Sequence, residues 1–160
     1  MPDKKGDVLR HFSTFKVVEA VAPAVIKDDA AYTATVIDTA GFRNATIYCH
    51  FGSIDFAVAT LKITECATSG GSYTDITGTI VGTANNITGA ESAFPSASDD
   101  NTFMVFDIDM DSHERFLQVS ATAGDGAAGT YMSAFCVLSR FHGASLETAA
   151  SRGGDEVLRV

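Results

Sequence analysis

Arg43-Asn-Ala-Thr-Ile-Tyr-Cys-His-Phe51 is the stretch on which the fold turns. Ala45, Ile47, Cys49 and Phe51 share one parity, and Asn44, Thr46, Tyr48 and His50 share the other. Successive side chains of an extended chain point to opposite faces. The alternation therefore describes a strand with one face on a core and the other meeting water or a neighbour.

The same period returns further along. Ala57 to Glu65 sets Ala57, Ala59, Leu61 and Ile63 against Thr60, Lys62 and Thr64. Ser69-Gly70-Gly71-Ser72 is a turn signal, and Tyr73 to Ile80 is expected as its return strand. Residues 82–98 read as a long loop with at most a short strand near Ile87. Asn101 to Met110 turns Met104, Phe106, Ile108 and Met110 one way and Asp107 and Asp109 the other, with Asp111 following. Phe116 to Thr122 comes next, then the turn Gly124-Asp125-Gly126. Tyr131 to Phe141 is apolar on both parities, with Phe135, Val137 and Phe141 opposite Met132, Ala134, Cys136 and Leu138. Such a strand is central, or carries an interface on its outer face. On the N-terminal side, Tyr32 to Ile37 favours extended chain and Asp38 to Gly41 reads as a turn.

This makes about seven or eight strands joined by turns, with no amphipathic helical stretch of about ten residues between them. Parallel α/β architecture needs crossover helices, so it is not expected. The expected fold is all-β: an antiparallel two-sheet β-sandwich, jelly-roll-like, with extended N- and C-terminal arms. The expected organisation is an arm at 1–30, a sandwich domain at 31–142 and a flexible tail at 143–160. The arm shows no clean period and is interrupted by Pro23. It reads as an extended segment with a short strand near Phe15 to Val21, or alternatively as a short helix.

Composition narrows the function. Of 160 residues, 46% are hydrophobic and 19% charged, and the net charge is −9. Residues 31–142 carry twelve acidic and four basic side chains. An acidic body disfavours nucleic acid and anionic membrane as partners. No apolar run approaches the roughly 18 residues of a membrane span. Met1 to Arg10 lacks the apolar stretch of a secretory signal. Neither a membrane protein nor a secreted precursor is expected.

The chemistry-bearing residues form few patterns. Asp107, Asp109 and Asp111 stand at i, i+2 and i+4 and put three carboxylates on one strand face. A calcium ion could sit between them with help from Glu114. Strand positions two apart are about 7 Å apart along the chain, which works against one ion reaching all three. A solvated face, or an edge guarded by charge, are the other readings. Cys49, Cys66 and Cys136 are odd in number and form no CxxC pair, so they read as buried free thiols. His11, His50, His113 and His142 lack HxH or HExxH spacing. No GxSxG elbow occurs, and the Gly-containing runs lack the P-loop Lys. The chain is expected to be no enzyme and to need no cofactor.

Three stretches carry a resemblance. Tyr32-Thr-Ala-Thr-Val-Ile-Asp-Thr-Ala-Gly-Phe-Arg43, Leu61-Lys-Ile-Thr-Glu-Cys-Ala-Thr-Ser-Gly-Gly-Ser-Tyr-Thr-Asp-Ile76 and Arg115-Phe-Leu-Gln-Val-Ser-Ala-Thr122 leading into Tyr131 to Leu138 resemble the small β-sandwich head decoration, or cement, proteins of phage virions and their minor structural relatives. The resemblance covers most of 32–138. Tyr73 stands where many relatives have Trp, and Cys66 with Gly70-Gly71 where a more polar turn is usual. It implies a non-enzymatic virion protein on the outer capsid surface. Its partner would be the major capsid protein, with self-association as a small symmetric oligomer. The apolar tips of the two arms, Phe12, Phe15 and Val17 at one end and Val157, Leu158 and Val160 at the other, are the expected capsid or neighbour contacts. A carbohydrate-binding sandwich of a tail or host-contact protein, and a calcium-dependent module, are the alternatives.

Overall fold

The computed structural model describes residues 14–23, 26–81 and 94–140. Eight strands occur among them: β1 Lys16–Val21, β2 Ile37–Asp38, β3 Asn44–Phe51, β4 Thr60–Cys66, β5 Thr74–Asp75, β6 Phe103–Asp109, β7 Phe116–Thr122 and β8 Met132–Ser139. Two 3-10 turns, Ala97–Asp99 and Met110–Ser112, are the only helical segments described. The strands form two four-stranded sheets, in the orders β1-β8-β3-β6 and β2-β7-β4-β5. Every pairing is antiparallel. The all-β, two-sheet antiparallel sandwich is the observed architecture.

The core is built by the alternation read above. Ala45, Ile47, Cys49 and Phe51 of β3 and Met132, Ala134, Cys136 and Leu138 of β8 turn inward. Leu61 and Ile63 of β4 and Leu117, Val119 and Ala121 of β7 do the same from the other sheet. Each fully buried Leu, Ile or Phe contributes about 1.5–3 kcal/mol relative to exposure, so these inward rows hold the sheets together. The doubly apolar β8 is a central strand, between β1 and β3.

One local expectation holds and two are corrected. The short strand expected near Phe15 to Val21 is present as Lys16–Val21, paired with β8. Its register shifts between Glu19 and Val21, and both Ala20 and Val21 are buried. A bulge admits one extra residue and breaks period 2, which is why no period showed there. Next, β4 starts at Thr60 rather than Ala57, with Val58 buried and Ala59 exposed. Val58 N donates to Pro95 O and Ala59 N to Thr122 O, so the chain rotates before the ladder begins. Finally, the return strand is only Thr74–Asp75. Gly78 adopts φ +92°, and Thr79 N donates back to Ile76 O in a turn. The Thr79 hydroxyl then takes the place of a strand neighbour, accepting from Ile63 N at 3.1 Å.

Carboxylates tie the loops to this frame. Asp38 receives both Nε and Nη2 of Arg115 at 2.7 Å. That guanidinium holds the Asp38 carboxyl below its ordinary value. Asp55 accepts from the backbone N–H groups of Ala127 and Ala128, which lower its pKa in the same way. Asp28 accepts from Gly126 N at 3.0 Å. The Gly-rich turn after β7 is thus held by carboxylates from two other segments.

Candidate functional site: the outer face of the first sheet

The outward residues of β3 are Asn44, Thr46, Tyr48 and His50. Register sets Phe135 of β8 and Val105 of β6 on either side of Tyr48. It sets Ser133 and Phe103 beside His50, and Val137 and Asp107 beside Thr46. The Tyr48 and Phe135 rings stack at 5.1 Å and 13°. His50 stacks on Phe103 at 4.3 Å and 13°. Phe103 is 55% exposed, Val105 48% and Phe135 37%. The face therefore divides into an apolar, aromatic half and a polar half made by Asn44, Thr46, Asp107 and Asp109.

The second sheet makes the contrast. Its outward positions include Thr60 and Lys62 on β4 and Gln118, Ser120 and Thr122 on β7. Its outward aromatic on β7, Phe116, is half-buried and covered by the Arg115 guanidinium 4.9 Å from the ring centre. Single exposed apolar residues need no explanation, but a contiguous group on one sheet face marks an interaction surface.

The three aspartates are not gathered into one site. Asp107 accepts from Asn44 Nδ2 at 2.8 Å and Thr46 Oγ1 at 2.9 Å. Asp109 accepts from Asp111 N at 3.3 Å and caps the 3-10 turn. That turn carries Asp111 off the strand, where Arg43 takes it through Nε at 2.7 Å and through Nη2. The pairing raises the Arg43 pKa. Among the described residues no group of three or more His, Cys, Asp or Glu is positioned to hold a metal ion.

Of the expected contact residues, Phe15 and Val17 are half-buried. Val17 lies on β1 opposite Val137 and so borders the aromatic face. Phe12, Val157, Leu158 and Val160 lie outside the described residues, as do His11, Ile87, Phe141 and His142. Cys49 and Cys136 are buried free thiols, pushed up to about 12 by desolvation. Cys66 differs from that expectation. It is only half-buried, because it ends β4 where the chain leaves for the hairpin turn.

A cleft of about 360 Å³ opens beside this face, with Phe103 as a shared wall and Phe51, Phe94 and Met104 among its lining. Its one carboxylate, Asp99, is taken by Ser96 N at 2.8 Å and Ser96 Oγ at 3.1 Å. Elsewhere, His113 Nδ1 lies 3.1 Å from Glu65, which also accepts from Glu114 N at 2.7 Å. The first arrangement caps the 3-10 turn Ala97–Asp99 on itself, and the second fastens the turn after β6 to β4.

Sequence reading missed Phe103 and Val105 as surface residues. They share parity with the acidic stripe, and that shared parity was the available signal. Among the described residues no helix is long and apolar enough to cross a membrane. Comparisons with protein-family models, curated proteins and solved structures each return no match. What the fold and this face define is a class, a two-sheet antiparallel β-sandwich with one outer face that is apolar over one half and polar over the other.

Proposed function

We propose that this chain is a non-enzymatic virion structural protein that binds the outer surface of a phage capsid and stabilises or decorates it. The observation that carries the reading is the exposed group Phe103, Val105 and Phe135 around Tyr48, on one sheet face only. Surfaces of this kind are covered by a partner in use. The partner proposed is the major capsid protein, from the resemblance across residues 32–138. A capsid repeats one contact many times, so each contact can be modest.

The strand order supports the reading at the level of architecture. β1 pairs with β8, β2 with β7, β3 with β6 and β4 with β5, a nested set like a long hairpin rolled up. We read this as a jelly roll, an architecture shared by viral capsid and lectin domains. That support is analogy between folds and says nothing of the site.

The test is co-sedimentation with assembled heads. Phe103→Ser and Phe135→Ser remove rings that lie outside the buried core, so both variants stay folded. Central aromatic anchors of an interface cost about 2 kcal/mol or more when truncated, roughly a thirtyfold loss of affinity. Sedimentation equal to wild type in both variants refutes this face as the attachment surface. A second reading draws on the Tyr48–Phe135 stack beside Asn44, Thr46 and Asp107, which offers a ring platform flanked by polar groups as sugar sites do. Binders on a glycan array, lost in Tyr48→Ala, would favour it.

A further inference from the structure

We infer that the open edge of β6, from Phe103 to Asp109, accepts an added strand from a partner protein, and that this strand is apolar opposite Phe103 and Val105 and basic opposite Asp107 and Asp109. The inference rests on the reading of the chain as a protein-binding module, but not on the partner being a capsid subunit.

The backbone argument comes first. Phe51 N donates to Thr102 O at 3.0 Å, and Met110 N donates to Arg43 O at 2.9 Å. In an antiparallel ladder, bonded pairs alternate with non-bonded ones. With the observed register, the positions bonded to β3 are 102, 104, 106, 108 and 110. The N–H and C=O groups of Phe103, Val105, Asp107 and Asp109 therefore point away from β3. β6 is last in its sheet, so no described strand stands on that side.

The other edges are partly closed or short. β1 is joined at its Ala20–Val21 end to the segment before β2 by Thr35 N donating to Ala20 O at 2.8 Å and by the Val21–Ala34 bridge. β2 and β5 have two residues each. Long open edges invite pairing, and proteins guard them with charge. Here Asp107 and Asp109 guard one half of β6, while Phe103 and Val105 leave the other half adhesive.

Charge decides what can occupy the edge. The described ion pairs engage Asp111, Asp75, Glu65 and Asp38; Asp107 and Asp109 form none, although Arg43, paired with Asp111, also feels the Asp109 charge. A second copy of this chain fits badly. Antiparallel pairing of two β6 edges sets Phe103 against Asp109 and Val105 against Asp107, and parallel pairing sets carboxylate on carboxylate. Each arrangement places carboxylates where no opposite charge meets them. Two chains of net charge −9 also repel. A strand with Lys or Arg at one end and apolar residues at the other satisfies both halves, and the open N–H and C=O groups supply its main-chain bonds.

The probe is the peptide acetyl-Lys-Thr-Lys-Thr-Val-Thr-Val-amide, written for antiparallel addition, with a counterpart bearing Glu for both Lys. Amide exchange and titration by NMR are read on the full chain. The expected result is slowed exchange at Phe103, Val105 and Asp107. The Lys peptide should bind about tenfold more tightly than the Glu peptide at low salt, with the ratio shrinking as salt rises. Val105→Pro removes one open N–H without touching the bonds to β3, and should abolish that protection. Should that variant fail to fold, Asp109→Lys on the exposed edge should narrow or reverse the preference. No binding of either peptide up to about 1 mM, equal binding of both, or protection away from β6 each overturns the inference. Co-sedimentation separates it from the capsid reading. Heads that carry down wild type and Val105→Pro equally overturn the edge as the capsid contact and leave that reading standing. Heads that carry down neither overturn the capsid reading, and the peptides still decide the edge.

Discussion

Replacing Thr130 by Val should make this protein more stable. Thr130 is fully buried, and its hydroxyl has no hydrogen-bond partner among the described residues. Its backbone is already satisfied: Thr130 N donates to Lys27 O at 2.7 Å, and Thr130 O accepts from Lys27 N at 3.1 Å and from the Tyr32 hydroxyl at 2.6 Å. A buried hydroxyl with no partner costs about 1–3 kcal/mol by mutational measures. Val has nearly the same shape, keeps the β-branch that suits extended chain, and adds a methyl in place of the hydroxyl. Allowing for a methyl slightly larger than the oxygen it replaces, the expected gain is about 1–2 kcal/mol. In a chain of this size each kcal/mol moves the melting temperature by about 2–4 °C. The assay is urea unfolding followed by far-ultraviolet circular dichroism. The midpoint should rise with the slope unchanged. Thr130→Ser is the control: it keeps the hydroxyl, loses the methyl, and should destabilise by about 1 kcal/mol. A Val variant less stable than wild type at equal slope would falsify the reasoning, because the hydroxyl must then have a partner in the folded state.

Two further outcomes follow from the buried and paired groups. The Asp38 and Asp55 carboxyls have folded-state pKa values below their ordinary ones. Each therefore contributes stability that is fully present above the ordinary carboxylate value and is lost as pH falls through the lowered one. Unfolding midpoints measured between about pH 5 and pH 2 should decline, and Asp38→Ala and Asp55→Ala should flatten that limb; an unchanged acid limb in both variants contradicts the assignment. Thiol labelling at mild alkaline pH should modify Cys66 promptly, while Cys49 and Cys136, raised to about 12 and buried, react only after unfolding. Prompt labelling of all three thiols under native conditions would rule out this burial.

The strands with regular pleat were legible because period 2 is a local property. β3, β6 and β7 follow their residues closely, and the double apolarity of β8 foretold its central position. β1 was obscured because a bulge sets Ala20 and Val21 on the same side. The return strand was overread because Thr77-Gly78-Thr79 looks extended in composition, yet Gly78 turns and the Thr79 hydroxyl substitutes for a ladder partner. The acidic stripe was visible as three residues. That Arg43 would claim Asp111, and that a 3-10 turn would lift it from the strand, depends on chain 68 positions away in sequence.

Which side chains are dry and which are wet was written in the residues themselves, since alternation needs no knowledge of distant chain. Which strand stands at an edge was decided only by the tertiary structure. Pairing β6 with β3 on one side and with no described strand on the other, and lining Phe103 and Val105 up with Tyr48 and Phe135, requires strands far apart in sequence to share a ladder. Local preference is identical for a central strand and an edge strand. The difference lies in whether a second row of backbone groups finds partners, and only the folded arrangement determines that.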